Sequence, residues 1–197
     1  MKARRMGMLL TGVLWMGAVL LGANFPAFGE PNGEITIVAS YLGHEVPIPY
    51  IEMPQGFDYL KLLYDPLVGV TPDGRLSNEY GVAQKREMSP DALTWTFYLR
   101  KGVKFHDGSE LTAKDAKFTI ELATRPDCIR PNAIEMKKVI KSVEVKDPYT
   151  LVVRCKEPTP FLDNLFSDLD DTPALIVPKD YYEKVGKDEF QKGRPTI

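Results

Sequence analysis

Apolar and polar residues alternate in the middle of the chain: Trp95, Phe97 and Leu99 are apolar, while Thr94, Thr96, Tyr98 and Arg100 carry polar groups. A repeat of two puts one set on each face of a strand, so this segment predicts a half-buried strand of an antiparallel sheet. The run Val103-Lys104-Phe105-His106 follows, and Asp107-Gly108 closes a tight turn after it. Thr112 and Asp115 stand just before an apolar stripe of Ala116, Ile120 and Ala123. That spacing lets two side chains satisfy the free N–H groups of a helix start. A second helix is predicted after Pro131, with Ala133, Met136 and Ile140 facing inward, because proline in a first turn sacrifices no helical hydrogen bond. Val143 to Lys146, the turn Asp147-Pro148, and Tyr149 to Cys155 then read as a hairpin.

The flanks follow the same logic. Glu34 to Ala39 is short and β-branched, the pattern of a buried strand, and Pro47, Pro49 and Pro54 make the next stretch a loop. Phe57, Leu60, Leu63, Tyr64 and Leu67 recur at helical steps and predict a packing helix, with Asp65-Pro66 bending the chain and Pro72-Asp73-Gly74 turning it. After Pro158 and Pro160, the residues Phe161, Leu162, Leu165 and Leu169 predict another helical stripe. Ala174 to Val177 reads as a brief strand, and Asp180 as the cap of a short helix ending at Gly186. Strands broken by single helices, with hairpins among them, define an α/β protein whose sheet is not uniformly parallel.

One segment differs from all the others. Lys2, Arg4 and Arg5 precede a nearly uncharged apolar stretch from Met6 to Ala23, then Asn24-Phe25-Pro26 and the small-residue pattern Ala27-Phe28-Gly29. That order predicts a secretory signal over residues 1–29. The competing reading is a retained anchor, since about 18 apolar residues approach the length that spans a bilayer. The proline and small residues favour cleavage, and no cysteine stands nearby to carry a lipid. An exported product, periplasmic or extracellular and freely soluble, is expected.

Composition narrows the function. With 25 basic and 27 acidic residues and a net charge of -2, the chain has no positive field to hold nucleic acid or an anionic membrane. Sixteen prolines in 197 residues, about 8% against the usual ~5%, favour fixed loops over a helical bundle. Cys128 and Cys155 match no zinc spacing, and a structural bridge and two separate thiols both remain open. His44 and His106 lie far apart, so no metal and no cofactor are expected. Asp168, Asp170 and Asp171 lack the oxygen spacing of a calcium loop and read as a solvated acidic turn, and His106-Asp107 reads as part of a turn. Phosphate-binding glycine loops, nucleophile elbows and paired zinc histidines are absent from the sequence, which argues against an enzyme.

The run Ser89-Pro90-Asp91-Ala92-Leu93-Thr94-Trp95-Thr96-Phe97-Tyr98-Leu99-Arg100-Lys101-Gly102-Val103-Lys104-Phe105-His106-Asp107-Gly108 continues into Leu111-Thr112-Ala113-Lys114-Asp115-Ala116. It resembles the signature of the extracellular solute-binding proteins, family 5, the oligopeptide, dipeptide and nickel binding components of ABC importers. Tyr64-Asp65-Pro66-Leu67, Asp147-Pro148-Tyr149-Thr150-Leu151 and Ile176-Val177-Pro178-Lys179 extend the resemblance over roughly residues 34 to 197. The chain departs from the family pattern at Tyr80 and Arg86-Glu87, where a proline and then Trp-Glu are common. It also stops at Arg194-Pro195-Thr196-Ile197, where the family usually continues with a Gly-Thr-Gly-Pro-Tyr segment.

The resemblance implies an α/β, periplasmic-binding-protein-like type II two-lobed architecture, of which this chain holds the amino-terminal part. The implied organisation is a signal over 1–29, the start of the first lobe over 30–68, a family 5 subdomain over 69–185, and a return to the first lobe over 186–197. The implied function is capture of a peptide or similar small solute and its delivery to membrane permease subunits, by a monomer. Ser40 and Tyr41, just past the first strand, are the candidate ligand-binding residues, because ligands meet the carboxyl ends of strands in open α/β sheets. Trp95, Phe97, Phe105 and Gly108 are expected in core and turn. Two other classes stay open: a membrane-tethered sensory or scaffold domain, and a secreted hydrolase whose catalytic part lies elsewhere.

Overall fold

The computed structural model describes residues 60–128, 130–169 and 174–192. The predicted signal, the strand over 34–39, the candidates Ser40 and Tyr41, and Asp170 and Asp171 lie outside the described residues. Among the described residues the strands are β1 (Gly69–Val70), β2 (Leu76–Ser77), β3 (Ala83–Met88), β4 (Thr94–Leu99), β5 (Ile140–Asp147) and β6 (Thr150–Cys155). The α-helices among them are α1 (Ala113–Ala123), α2 (Pro131–Val139), α3 (Lys179–Val185) and α4 (Lys187–Lys192).

β3, β4, β6 and β5 form a four-stranded sheet in that order, every neighbouring pair antiparallel. The chain leaves β4, passes through α1 and α2 to β5 at the far edge, and inserts β6 between β5 and β4. The alternation in β4 does what its period predicts: Trp95, Phe97 and Leu99 are buried, and Trp95 and Phe97 pair with Val153 and Leu151. Ala116 and Ile120 of α1, Met136 and Val139 of α2, and Phe166 belong to the same core cluster. Trp95 stacks on Phe97 at 6.0 Å, Phe97 meets Phe166 edge-on at 5.5 Å, and the Trp95 indole N–H donates to the Thr159 carbonyl at 3.0 Å. A large apolar body with its polar handle satisfied is the stable way to bury an indole. The opposite face is solvated, with Tyr98 donating to Glu87 at 2.8 Å and Arg154 paired with Glu144 at 3.0 Å. Both edge strands are irregular: β3 shifts register between Ala83 and Lys85, β5 between Ile140 and Ser142 and again between Val145 and Asp147.

The region of departure from the family pattern packs through Arg86 and two glycines. Arg86 pairs with Asp163 at 2.9 Å, both side chains largely shielded, and donates to Asn78 at 2.6 Å. Gly69 and Gly81 let two backbones touch: a Cβ on Gly69 would lie 1.9 Å from the Tyr80 carbonyl oxygen. β1 and β2 are thereby held against the start of β3, with Val82 and Ala83 donating to Pro66 and Leu67 at 3.0 and 2.8 Å.

Several predicted elements end differently. The helix expected through Leu67 stops early: Leu60 is helical, 61–63 form a turn, and Pro66 and Val68 make isolated bridges to Leu175 and Ser167. Pro66 disfavours helical backbone at Asp65 and cannot donate, so the chain extends and Leu67 is buried from a different direction. Ile140, expected on the second helix, starts β5, and Val139 takes the buried helical position. The stripe after Pro160 is only a short 3-10 turn, Asn164–Phe166. Leu162, Leu165 and Phe166 are buried, while Phe161 and Leu169 stay 43% and 40% exposed. A three-residue repeat rotates the stripe away from the four-residue spacing of the sequence. Ala174 to Val177 forms no ladder beyond the Leu175 bridge, although all four side chains are buried. Asp180 does not cap α3: Pro178 is the cap position and Asp180 lies in the first turn. No disulfide joins Cys128 and Cys155; both are buried, and burial raises both thiol pKa values.

Candidate functional site

A cavity of about 210 Å³ opens where four separated segments meet. The first wall is Lys61 to Asp65, folded back by Leu63 and Tyr64 donating to the Leu60 carbonyl, both at 2.9 Å. The second is the hairpin arm Val103 to Asp107. The third is Ile176 and Pro178, and the fourth is Tyr181 on α3 with Phe190 on α4.

Sequence signals recognised for other reasons hold these walls. Thr112 and Asp115 form the predicted capping box of α1, Asp115 accepting from the Thr112 N–H at 2.9 Å. The other Asp115 oxygen accepts the Lys179 N–H at 2.9 Å, and Thr119 accepts the Val177 N–H at 2.9 Å. One helix thus ties down the Ile176–Pro178 wall through side chains in place of a strand ladder, and Asp115 supplies the acceptor that Asp180 was expected to provide for α3. Ile176 also donates to the Asp65 carbonyl at 2.8 Å, joining the first and third walls. Both tyrosines of α3 meet Phe190, Tyr181 at 5.9 Å and Tyr182 at 5.0 Å; Tyr182 also packs edge-on against Phe118 at 5.2 Å, while Tyr181 lines the cavity.

The hairpin arm is closed at its tip by Asp107 and Gly108. Asp107 accepts from the Ser109 hydroxyl at 2.6 Å and the Ser109 N–H at 2.9 Å, and these bonds hold its carboxyl below the usual aspartate range. Gly108 has φ +83°, which glycine adopts without strain. At the base, Glu110 accepts from the Gly102 N–H and the Tyr149 hydroxyl, both at 2.8 Å. The backbone bond and then the hydroxyl bond lower its carboxyl pKa. Burial, and then the neighbouring Tyr181 phenol, push the Tyr64 hydroxyl well above the usual tyrosine value.

The predicted residues divide accordingly. Trp95 and Phe97 are in the core and Gly108 in a turn, as expected, whereas Phe105 is half-buried and lines the cavity. Asp107 holds its turn, and His106 is exposed at the cavity lining. Sequence reading missed Tyr64, Asp65, Tyr181 and Phe190 as a group, because no period links residues so far apart. The breaks at Pro66 and Pro178 were the available signal. Among the described residues no group of three or more His, Cys, Asp and Glu could hold a metal ion, and no helix is long and apolar enough to cross a membrane.

The profile of the bacterial extracellular solute-binding proteins, family 5 Middle, matches residues 79–196. The chain belongs to this family, which is extracellular by its own description. It is similar to a protein of Brucella ovis provisionally named an ABC transporter peptide-binding protein, 37% identical over 139 residues, covering 70% of this chain and 24% of that one. It is also similar to the glutathione-binding protein GsiB of Salmonella choleraesuis, 30% identical over 179 residues, covering 88% of this chain and 33% of that one. Among solved structures, OppA of Haemophilus influenzae in complex with RPPGFSPFR superposes with a TM-score of 0.63 at 27% identity, over 76% of this chain and 32% of that one. The architecture is that of the two-lobed type II periplasmic binding proteins, of which the chain covers a part. It spans about a quarter to a third of the length of these curated relatives.

Proposed function

We propose that this chain is the amino-terminal part of the substrate-binding component of an ABC importer, which captures a peptide or similar small solute and delivers it to a membrane permease. The observation that carries the reading is the superposition on OppA, whose structure holds a peptide, over most of this chain. In this reading residues 1–29 are a cleaved export signal, 30–68 and 186–197 belong to the first lobe, and 69–185 form its family 5 subdomain. Ser40 and Tyr41 contact the solute, the receptor acts as a monomer, and no catalysis is involved.

A two-lobed receptor derives its binding energy from contacts contributed by both sides as a hinge closes. A chain spanning a third of such a receptor presents one side of the cleft and binds peptides weakly. Isothermal titration of this chain with di- to pentapeptides is expected to give shallow, unsaturated curves. Tight saturation by this chain alone, or turnover of the peptides, would overturn the reading.

A further inference from the structure

Asp-Gly occurs twice in the sequence, at Asp73-Gly74 and at Asp107-Gly108. Glycine has no side chain to shield its nitrogen, so in this dipeptide the aspartate carboxyl is most open to attack by the next backbone amide. Both pairs are exposed, and in both the glycine N–H is engaged: Gly74 donates to the Thr71 carbonyl and Gly108 to the Phe105 carbonyl, each at 2.9 Å. The carboxylates are held differently. Asp73 is shared between two residues, accepting from the Thr71 hydroxyl and pairing with Arg75 at 3.2 Å. Asp107 leans on Ser109, whose hydroxyl and N–H donate to the same carboxylate oxygen at 2.6 and 2.9 Å.

The reaction open to such a pair needs only water. The glycine nitrogen bonds to the aspartate Cγ, the carboxyl OH and the amide proton leave as water, and a five-membered imide closes. Water then adds to one imide carbonyl. Breaking the N–Cγ bond restores aspartate, whereas breaking the bond from nitrogen to the aspartate main-chain carbon leaves isoaspartate, with Cβ and Cγ in the backbone. Closure requires a neutral carboxyl, a nitrogen free to give up its proton, and a local opening that brings the two together. Ser109 opposes the first, because its hydroxyl and then its N–H hold the carboxyl ionised, with a smaller pull from Lys184. The Phe105 carbonyl opposes the second. We propose that Asp107-Gly108 is a spontaneous isoaspartate site on the wall of the cavity, held in check in the folded chain by Ser109. Conversion inserts one methylene into the backbone between His106 and Gly108, and so reshapes the arm that brings Phe105 to the cavity. The site does not depend on the solute-binding reading.

The test incubates the whole chain, folded and in urea, and follows both pairs by peptide mapping. Isoaspartate leaves the peptide mass unchanged, shifts its chromatographic retention and makes it a substrate for protein isoaspartyl methyltransferase. Asp107 is expected to convert about tenfold more slowly in the folded chain than in urea, because the turn must open first. Ser109→Ala removes the hydroxyl bond and is expected to raise the rate at Asp107, measured relative to Asp73 in the same sample, about fivefold. Ser109→Thr keeps a hydroxyl and should restore the original ratio. Since Asp73 lies in a separate turn, a general loosening of the variant speeds both sites and cancels in that ratio. Equal rates at Asp107 in the folded chain and in urea would overturn the proposal. So would a ratio that Ser109→Ala leaves unchanged, or one that Ser109→Thr raises as far as Ser109→Ala does.

Discussion

The four-stranded sheet and the cavity beside it are built from adjoining stretches of chain by opposite means. In the sheet, a repeat of two delivers Trp95, Phe97 and Leu99 to one face, and cross-strand partners Val153 and Leu151 complete a filled core. At the cavity, four segments each contribute a few side chains, and single hydrogen bonds accepted by Asp115, Thr119 and the Asp65 carbonyl hold them in place. The difference teaches that the family signature around Trp95 encodes packing, while the open space arises where packing is interrupted by Pro66 and Pro178.

The sharpest way to break this comparison is to truncate each region in turn. Trp95→Ala is expected to cost about 3 to 5 kcal/mol, because the ring is buried, stacked and hydrogen bonded. Urea melts measure it, and a loss under about 1 kcal/mol would remove Trp95 from the core. Asp115→Ala is expected to cost about 2 kcal/mol, since it removes the N3 half of the α1 capping box and strands the Thr112 and Lys179 N–H groups. Amide exchange at Lys179 should speed up in parallel; unchanged exchange would show that the tie between α1 and the cavity wall is not needed. Phe105→Ala is expected to cost only about 1 kcal/mol, because the ring is half-buried and already borders open space. A loss equal to that of Trp95→Ala would make the hairpin arm part of the core and erase the contrast.

The smallest effect is a pH response of the hairpin base. The Gly102 N–H, and then the Tyr149 hydroxyl, depress the Glu110 carboxyl pKa. A depressed carboxyl stabilises the fold above its unfolded pKa, and that contribution is lost as pH falls through the lower folded value. The Gly102 amide shift should therefore titrate below the ordinary glutamate range. A midpoint at or above that range would show that the bond from Gly102 does not favour the carboxylate.

What the sequence revealed follows the same division. The β4 alternation, the β5–β6 hairpin and the Thr112–Asp115 box were legible because each is a local pattern with a local cause. The helix through Leu67 and the stripe after Pro160 were misread because apolar spacing alone does not reveal where the backbone turns. Leu67 is buried from an extended segment and Leu162 from a turn, and burial at helical intervals has more than one geometric origin. The cavity was not legible, since Tyr64, Phe105, Tyr181 and Phe190 become neighbours only through hydrogen bonds between distant segments. The resemblance to family 5 was legible from one continuous run, Ser89 to Ala116, and it located the chain within a larger architecture that composition could not indicate.

The register shifts in β3 and β5 have a consequence for crowded solutions. These are the two outer strands of the sheet, and they carry Lys85, Arg86 and Glu87 on one side and Lys141, Glu144 and Lys146 on the other. A kinked, charged border presents no straight row of N–H and C=O groups for another copy to extend. Edge-to-edge pairing through this sheet is therefore disfavoured along both outer strands, by the same irregularities that interrupt its ladders.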